Sequence, residues 1–212
     1  MDAYNTLLHE SSDEIIIQKS RFIGYARPCG TEEEAIDFLR RIRTQHRDAR
    51  HHCYAYIIGH NHGIMRYSDD GEPGGTAGLP IMDVLRSRQI VNCCVVVVRY
   101  FGGILLGTGG LVRAYTQGCQ IALAAAGTVR MEWTLRYFCD LPYNCWDIFI
   151  HTVASLPAIV ENTEYGISVT FDLLIRSVDK DHVLETLMKI TGRQLEYLSA
   201  GENFFAWPLP GD

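Results

Sequence analysis

The sequence predicts an α+β protein of two domains, an N-terminal α/β domain over residues 1–130 and a C-terminal domain over residues 131–212. Three observations lead there. Strand-like apolar runs alternate with helix-like periodicity along the chain, and an apolar content of 47% over 212 residues is enough to bury a core in each part. The charge balance also breaks near residue 130. Residues 1–130 carry 14 Lys/Arg against 13 Asp/Glu, and residues 131–212 carry 5 against 12, so their formal charges are +1 and −7. A nucleic-acid footprint is therefore expected in the first part, on a background less basic than that of a dedicated nucleic-acid domain.

No apolar run approaches the roughly 18 residues of a membrane span, and the start, MDAYNTLLHESSDE, lacks the basic and apolar segments of a secretory signal. A cytoplasmic chain without membrane association is the expectation. The seven cysteines agree with it. Their number is odd, none forms a CxxC pair, and Cys53, Cys93, Cys94 and Cys119 lie in apolar segments where a reduced thiol packs as a small hydrophobe.

Ile15–Ile17 and Phe22–Ala26 read as strands around a polar Lys19-Ser20-Arg21 connection. Thr31 is a helix N-cap with Glu34 three residues on; Ile36, Leu39 and Ile42 form the apolar stripe, and Arg40, Arg41, Arg43 and His46 suit the helix end. Cys53–Ile58 and Ile64–Tyr67 make a hairpin, Pro80 opens a helix carrying Met82 and Leu85, and Cys93–Val98 is a strand buried on both faces. A buried helix over Leu111–Ala126 ends at Gly127, and the joint near Gly127–Glu132 must be short. Beyond it come a strand at Trp133–Leu141, a helix from Pro142 to Leu156, a hairpin of Ile159–Glu164 with Ile167–Ile175, a helix from Asp179 to Ile190 and a strand at Gln194–Leu198. That order, βαββαβ, is the ferredoxin-like pattern. Trp133, Tyr143 and Trp146 are candidate anchors for an interface.

Two segments carry candidate chemistry. In the loop Ser68, Asp69, Asp70, Gly71, Glu72, Pro73, Gly75 and Thr76, the clustered carboxylates suit either a hard cation and acid–base work, or a turn in which Asp and Ser bond the backbone and Arg66 or Arg99 neutralises them. The spacing is not that of an EF-hand. The second segment runs from Arg99, Tyr100, Phe101, Gly102 and Gly103 through Gly107, Gly109 and Gly110 to Arg113. Glycines between a strand and a helix start offer backbone N–H groups to an anion, the arginines add charge, and the aromatics suit base stacking. Close helix–strand packing is the alternative. There is no GK[ST] and no GxGxxG, so nucleotide hydrolysis and dinucleotide binding lose support. His46, His51, His52, His60 and His62 near Cys53 match no zinc spacing, and no exposed thiol or GxSxG serine stands out. No catalytic residue, metal ligand set or cofactor is assigned.

KSRFI at 19–23, HCYAY at 52–56, RYSDDGEPGGTAGLPIMDVL at 66–85 and VVVVRYFGGILLGTGGLVRAY at 95–115 together resemble the YigZ/IMPACT family in its bacterial two-domain form. Gly74 stands where many relatives have Ser, and Leu79 where many have Lys, which removes a charge from the loop. The resemblance implies a first domain similar to the second domain of a small-subunit ribosomal protein and a second domain similar to the last domains of elongation factor G. It implies regulation of translation through RNA, the ribosome or a translation factor. Arg66, Arg99, Tyr100, Phe101, Arg113 and the glycines are then the anion or nucleic-acid surface. The alternatives are a metal-dependent phosphoryl or peptide hydrolase using Asp69, Asp70 and Glu72, or a protein adaptor working through the acidic C-terminal domain.

Overall fold

The computed structural model describes residues 2–61 and 63–207. Contacts divide it into two compact units, the first over Tyr4–Arg130 and the second over Met131–Trp207.

After a short strand β1 (Tyr4–Leu7), which the sequence reading left without structure, the first unit builds a five-stranded sheet. β2 (Ser11–Ile17) and β3 (Ser20–Pro28) are joined by Gln18 and Lys19, with φ of 45° and 66°. Two positive φ values in a two-residue turn match the twist of the flanking strands, so the turn sits earlier than the expected Lys19-Ser20-Arg21. α1 (Glu32–Gln45) is capped as its sequence requires. Thr31 Oγ accepts from the Glu34 N–H at 3.2 Å, and the Glu34 carboxylate reaches back to the Gly30 N–H at 2.6 Å. Its buried stripe is Ala35, Phe38, Leu39 and Ile42; Ile36, expected there, is exposed because Ala35 and Phe38 hold that face.

β4 (His51–Ile58), β5 (Ile64–Ser68), α2 (Gly78–Ser87), β6 (Cys93–Tyr100) and α3 (Gly107–Ala126) complete the unit. The sheet order is β2-β3-β6-β4-β5, antiparallel throughout. β6 lies in the middle, which is why its sequence is apolar without alternation: Cys93, Val95 and Val97 face the core beneath α2 and α3, while Cys94, Val96 and Val98 face the core beneath α1. α3 starts at Gly107, not at the expected Leu111, so Gly109 and Gly110 are helical. Burial of Leu111, Ala114, Tyr115, Cys119 and Ala122 along the helix outweighs the poor propensity of its first turn. Glycine at 24 and 118 allows α3 to sit directly on the sheet, since a Cβ on Gly24 would come within 2.1 Å of the Gly118 carbonyl oxygen.

The second unit follows the expected order: β7 (Thr128–Leu141), α4 (Tyr143–Val153), β8 (Ala158–Tyr165), β9 (Val169–Arg176), α5 (Lys180–Ile190) and β10 (Glu196–Trp207). β9 lies antiparallel between β7 and β8, and β10 pairs with β7. The bounds that differ most from expectation are the start of β7 and the end of β10. β7 runs unbroken from Thr128 through the segment read as a joint, and β10 continues to Trp207, whose buried indole N–H donates to Thr134 Oγ1 at 2.9 Å. Trp146 stacks on Phe149 and packs against Phe171 in the core, and Trp133 meets Phe204 edge-on.

All seven cysteines are buried free thiols, and burial raises Cys29 to about 11 and both Cys119 and Cys139 to about 12. Native protein at pH 8 is therefore expected to react with a thiol-exchanging disulfide reagent only at the rate of unfolding, and denatured protein to react at all seven thiols at once. A native thiol reacting as fast as free cysteine would contradict this packing.

Candidate functional site

Antiparallel pairing gathers four connections at one end of the first unit's sheet. Arg21 at the start of β3 faces Tyr100 at the end of β6, His51 at the start of β4 faces Arg99, and Ser68 at the end of β5 faces Tyr54. The turn at 18–19, the α1–β4 loop at 46–50, the β5–α2 loop at 69–77 and the β6–α3 loop at 101–106 consequently share that end. Both segments singled out in the sequence lie there.

The three loop carboxylates do three separate jobs. Asp69 accepts from the backbone N–H groups of Gly75, Ala77 and Gly78 at 2.8–2.9 Å, folding the loop over the start of α2. Asp70, with φ of 42°, accepts from the His52 N–H at 2.7 Å and from Arg43 at 2.9 Å. Glu72 is buried; its Oε1 accepts from Arg99 at 2.7 Å and from the Tyr115 hydroxyl at 2.8 Å. Burial, the neighbouring Cys53 and Glu72 raise the Tyr115 phenol, and burial raises Cys53, whose thiol donates to the Asp69 carbonyl at 2.9 Å. Thr76 bonds the Pro73 carbonyl at 2.6 Å, Ser68 Oγ accepts from the Asp70 N–H at 3.1 Å, and Gly71 and Gly75 take φ of 86° and 76°. The loop is thus organised by the backbone bonds of its own Asp and Ser side chains.

Arg99 requires a correction. Of its two sequence readings, anion ligand or partner of the loop carboxylates, the structure shows the second: it is 6% exposed and committed to Glu72, with its guanidinium 5.5 Å from the ring centres of both Phe22 and Phe101. A buried carboxylate needs a buried cation, and strand β6 supplies it. Arg66 is likewise not part of the gathering. It stands on β5 beside Glu32, the first residue of α1, whereas the gathered loops lie at that helix's last turn. Arg113, in the second turn of α3, is exposed and has no hydrogen bond or ion pair among the described residues.

Tyr100 is held rather than free: its hydroxyl meets His46 Nδ1 at 2.9 Å, and His46 Nε2 meets the Tyr25 hydroxyl at 2.6 Å. Burial lowers the His46 pKa, favouring the neutral ring that can donate to one tyrosine and accept from the other. Phe101 is half exposed. Gly102 is the close-approach glycine, since a Cβ there would lie 2.0 Å from the Lys19 carbonyl carbon; Gly103 and Gly107 take φ of 82° and 69°, and a Cβ on Gly110 would press on Leu106. Around Gly109 there is open space, so packing does not explain it. The histidines do not form one group: His51 donates to the Asp70 carbonyl, His52 to the His46 carbonyl, His60 lies in the β4–β5 turn at the other end, and His62 lies outside the described residues.

Sequence reasoning missed the α1–β4 loop. A cavity of about 410 Å³ is lined by Asp48, Arg50, Arg99, Tyr100 and Phe101, and exposed Lys19 and Arg47 belong to the same end. The available signal was two arginines in the few residues before a strand that pairs with β6.

Residues 18–123 match the Impact N-terminal domain family. The chain is 35% identical over 191 residues to the IMPACT family member YvyE of Bacillus subtilis, covering 90% of this chain and 88% of that protein. It is 43% identical over 130 residues to the IMPACT family member YigZ of Escherichia coli, covering 60% and 64% of the two chains. A solved structure titled as a hypothetical protein superposes with a TM-score of 0.60 at 31% identity, covering 95% of this chain and 98% of that one. The chain therefore belongs to the IMPACT family.

Two substitutions test the scaffold. Arg99→Ala strands the Glu72 carboxylate and is expected to cost about 3–5 kcal/mol in chemical denaturation, with Arg99→Met/Glu72→Gln recovering part of it. Asp69→Ala leaves three backbone donors unmet and is expected to cost about 2–3 kcal/mol. Wild-type midpoints for both single variants would refute the assignment.

Proposed function

We propose that this chain is a cytoplasmic binding protein of the translation apparatus, a regulator whose partner is RNA, the ribosome or a translation factor. In this reading the first unit corresponds to the second domain of a small-subunit ribosomal protein and the second unit to a ferredoxin-like domain, as the family resemblance implies. The observation that carries it is the set Lys19, Arg47, Arg50 and Arg113. These are exposed cations with no carboxylate partner among the described residues, presented from loops and from the start of α3 at the end of the unit that carries the half-exposed Phe101. Phosphates favour unneutralised guanidinium groups, and an exposed ring gives an unstacked base a platform. The hydrolase alternative gains nothing from the loop, because Asp69, Asp70 and Glu72 are each held by different partners.

A second reading, a protein adaptor, is favoured by one feature of the acidic unit: exposed Tyr143, Tyr165 and Ile167 lie together where the Tyr143 hydroxyl donates to the Gly166 carbonyl.

Single-stranded RNA binding should fall steeply with salt. Arg50→Ala and Arg113→Ala should each weaken it by about 1 kcal/mol and lower the salt slope by roughly 0.7 per lost phosphate contact, with Arg113→Lys restoring part. Recovery from lysate of protein partners alone, at a yield independent of salt and of both arginines, would favour the adaptor and overturn the RNA reading.

A further inference from the structure

Resting on the nucleic-acid reading, we infer that the cavity lined by Asp48, Arg50, Tyr100 and Phe101 is a subsite for one guanine nucleotide of a single-stranded RNA. At about 410 Å³ it suits a ring system rather than a lone ion. Asp48 and Arg50 line it together, yet both are exposed and neither has a hydrogen bond or ion pair among the described residues. An unpaired carboxylate repels phosphate. A ligand that satisfies both groups must therefore be anionic at one end and present N–H donors at the other, which is the chemistry of a nucleotide.

The carboxylate narrows the base. Guanine offers adjacent N1–H and N2–H donors on its Watson–Crick edge, matching two carboxylate oxygens. Adenine and cytosine set their single amino donor beside a ring-nitrogen acceptor, and uracil sets its N–H between carbonyls, so each brings a lone pair against Asp48. Phe101 supplies the stacking surface: one side of its ring rests over the Arg99 guanidinium at 5.5 Å, while about half of the residue stays exposed. The buried Glu72–Arg99 pair thereby acts as the support of the platform rather than as a ligand. Lys19, Arg47 and Arg113 at the same end exceed what one phosphate engages, which favours a strand over a free nucleotide.

The test is fluorescence anisotropy of the full chain with seven-nucleotide RNAs of uridine carrying guanosine, adenosine, cytidine or uridine at the centre. The guanosine strand is expected to bind roughly fivefold or more tightly than the others. Asp48→Asn should erase that preference while leaving binding of the all-uridine strand within about twofold, and Phe101→Leu should weaken all four strands, with melting curves confirming folded variants. Equal binding of the four strands by the wild type, or a preference that survives Asp48→Asn, overturns the subsite while the RNA reading stands. Binding of 5′-GMP as tight as that of the guanosine strand overturns the assignment to RNA. No measurable binding of any strand overturns both.

Discussion

The buried Glu72 carboxylate is the constraint around which the first unit is arranged. Removing a carboxylate from water is tolerated only where hydrogen-bonded partners replace the solvent. Here they come from two different elements, Arg99 at the end of β6 and Tyr115 from α3, while Glu72 itself belongs to the β5–α2 loop. One oxygen thus fixes a loop, a central strand and a helix against each other. Phe22 of β3 extends the arrangement, meeting Tyr115 edge-on at 5.3 Å and carrying the Arg99 guanidinium on its ring. The loop between Asp69 and Ala77, though it has no regular secondary structure, is in this way tied to the sheet and to α3.

This pairing also sorts the charges. Formal charge makes residues 1–130 nearly neutral, yet the three carboxylates of the β5–α2 loop are turned inward or onto Arg43, which leaves Asp48 as the exposed carboxylate among the gathered loops. Other acids are occupied elsewhere: Glu10 with Arg27 and Arg41, Glu14 with Arg21, Asp37 with Arg40 and Glu32 with Arg66. What faces solvent at the gathered loops is therefore more cationic than the composition suggests. A net charge describes solubility and long-range attraction, whereas a binding surface is set by which charges lack partners.

Much of the fold was legible in the sequence, and the reasons are local. The Thr31 cap, Pro80 in the first turn of α2, the unbroken apolar run of β6 and the βαββαβ order of the second unit each follow from propensity or periodicity. The misses follow from tertiary contacts that a linear reading does not contain. β1 is short and mixed, the first turn of α3 is glycine-rich and helical only because the rest of the helix is anchored, and β10 is prolonged by a buried Trp207. The site was legible in part. Its two loops were evident as motifs, but an arginine beside glycines reads the same whether it points to an anion or to a buried glutamate, and only the antiparallel register brings 46–50 against 99–101.

The glycines show how scaffold and surface separate within one motif. Gly102 is demanded by the fold, because any side chain there would collide with the Lys19 carbonyl and drive the 18–19 turn off the β6–α3 loop. Gly103 and Gly107 are demanded by their positive φ. Gly109 meets neither condition: it lies in the first turn of α3, exposed and surrounded by open space, and glycine has a poor helix propensity. Nothing in the packing or the backbone conformation explains glycine at this position. The glycine that packing leaves unexplained thus lies at the same end of the unit as the exposed Arg113 and Phe101, apart from the glycines on which the scaffold depends.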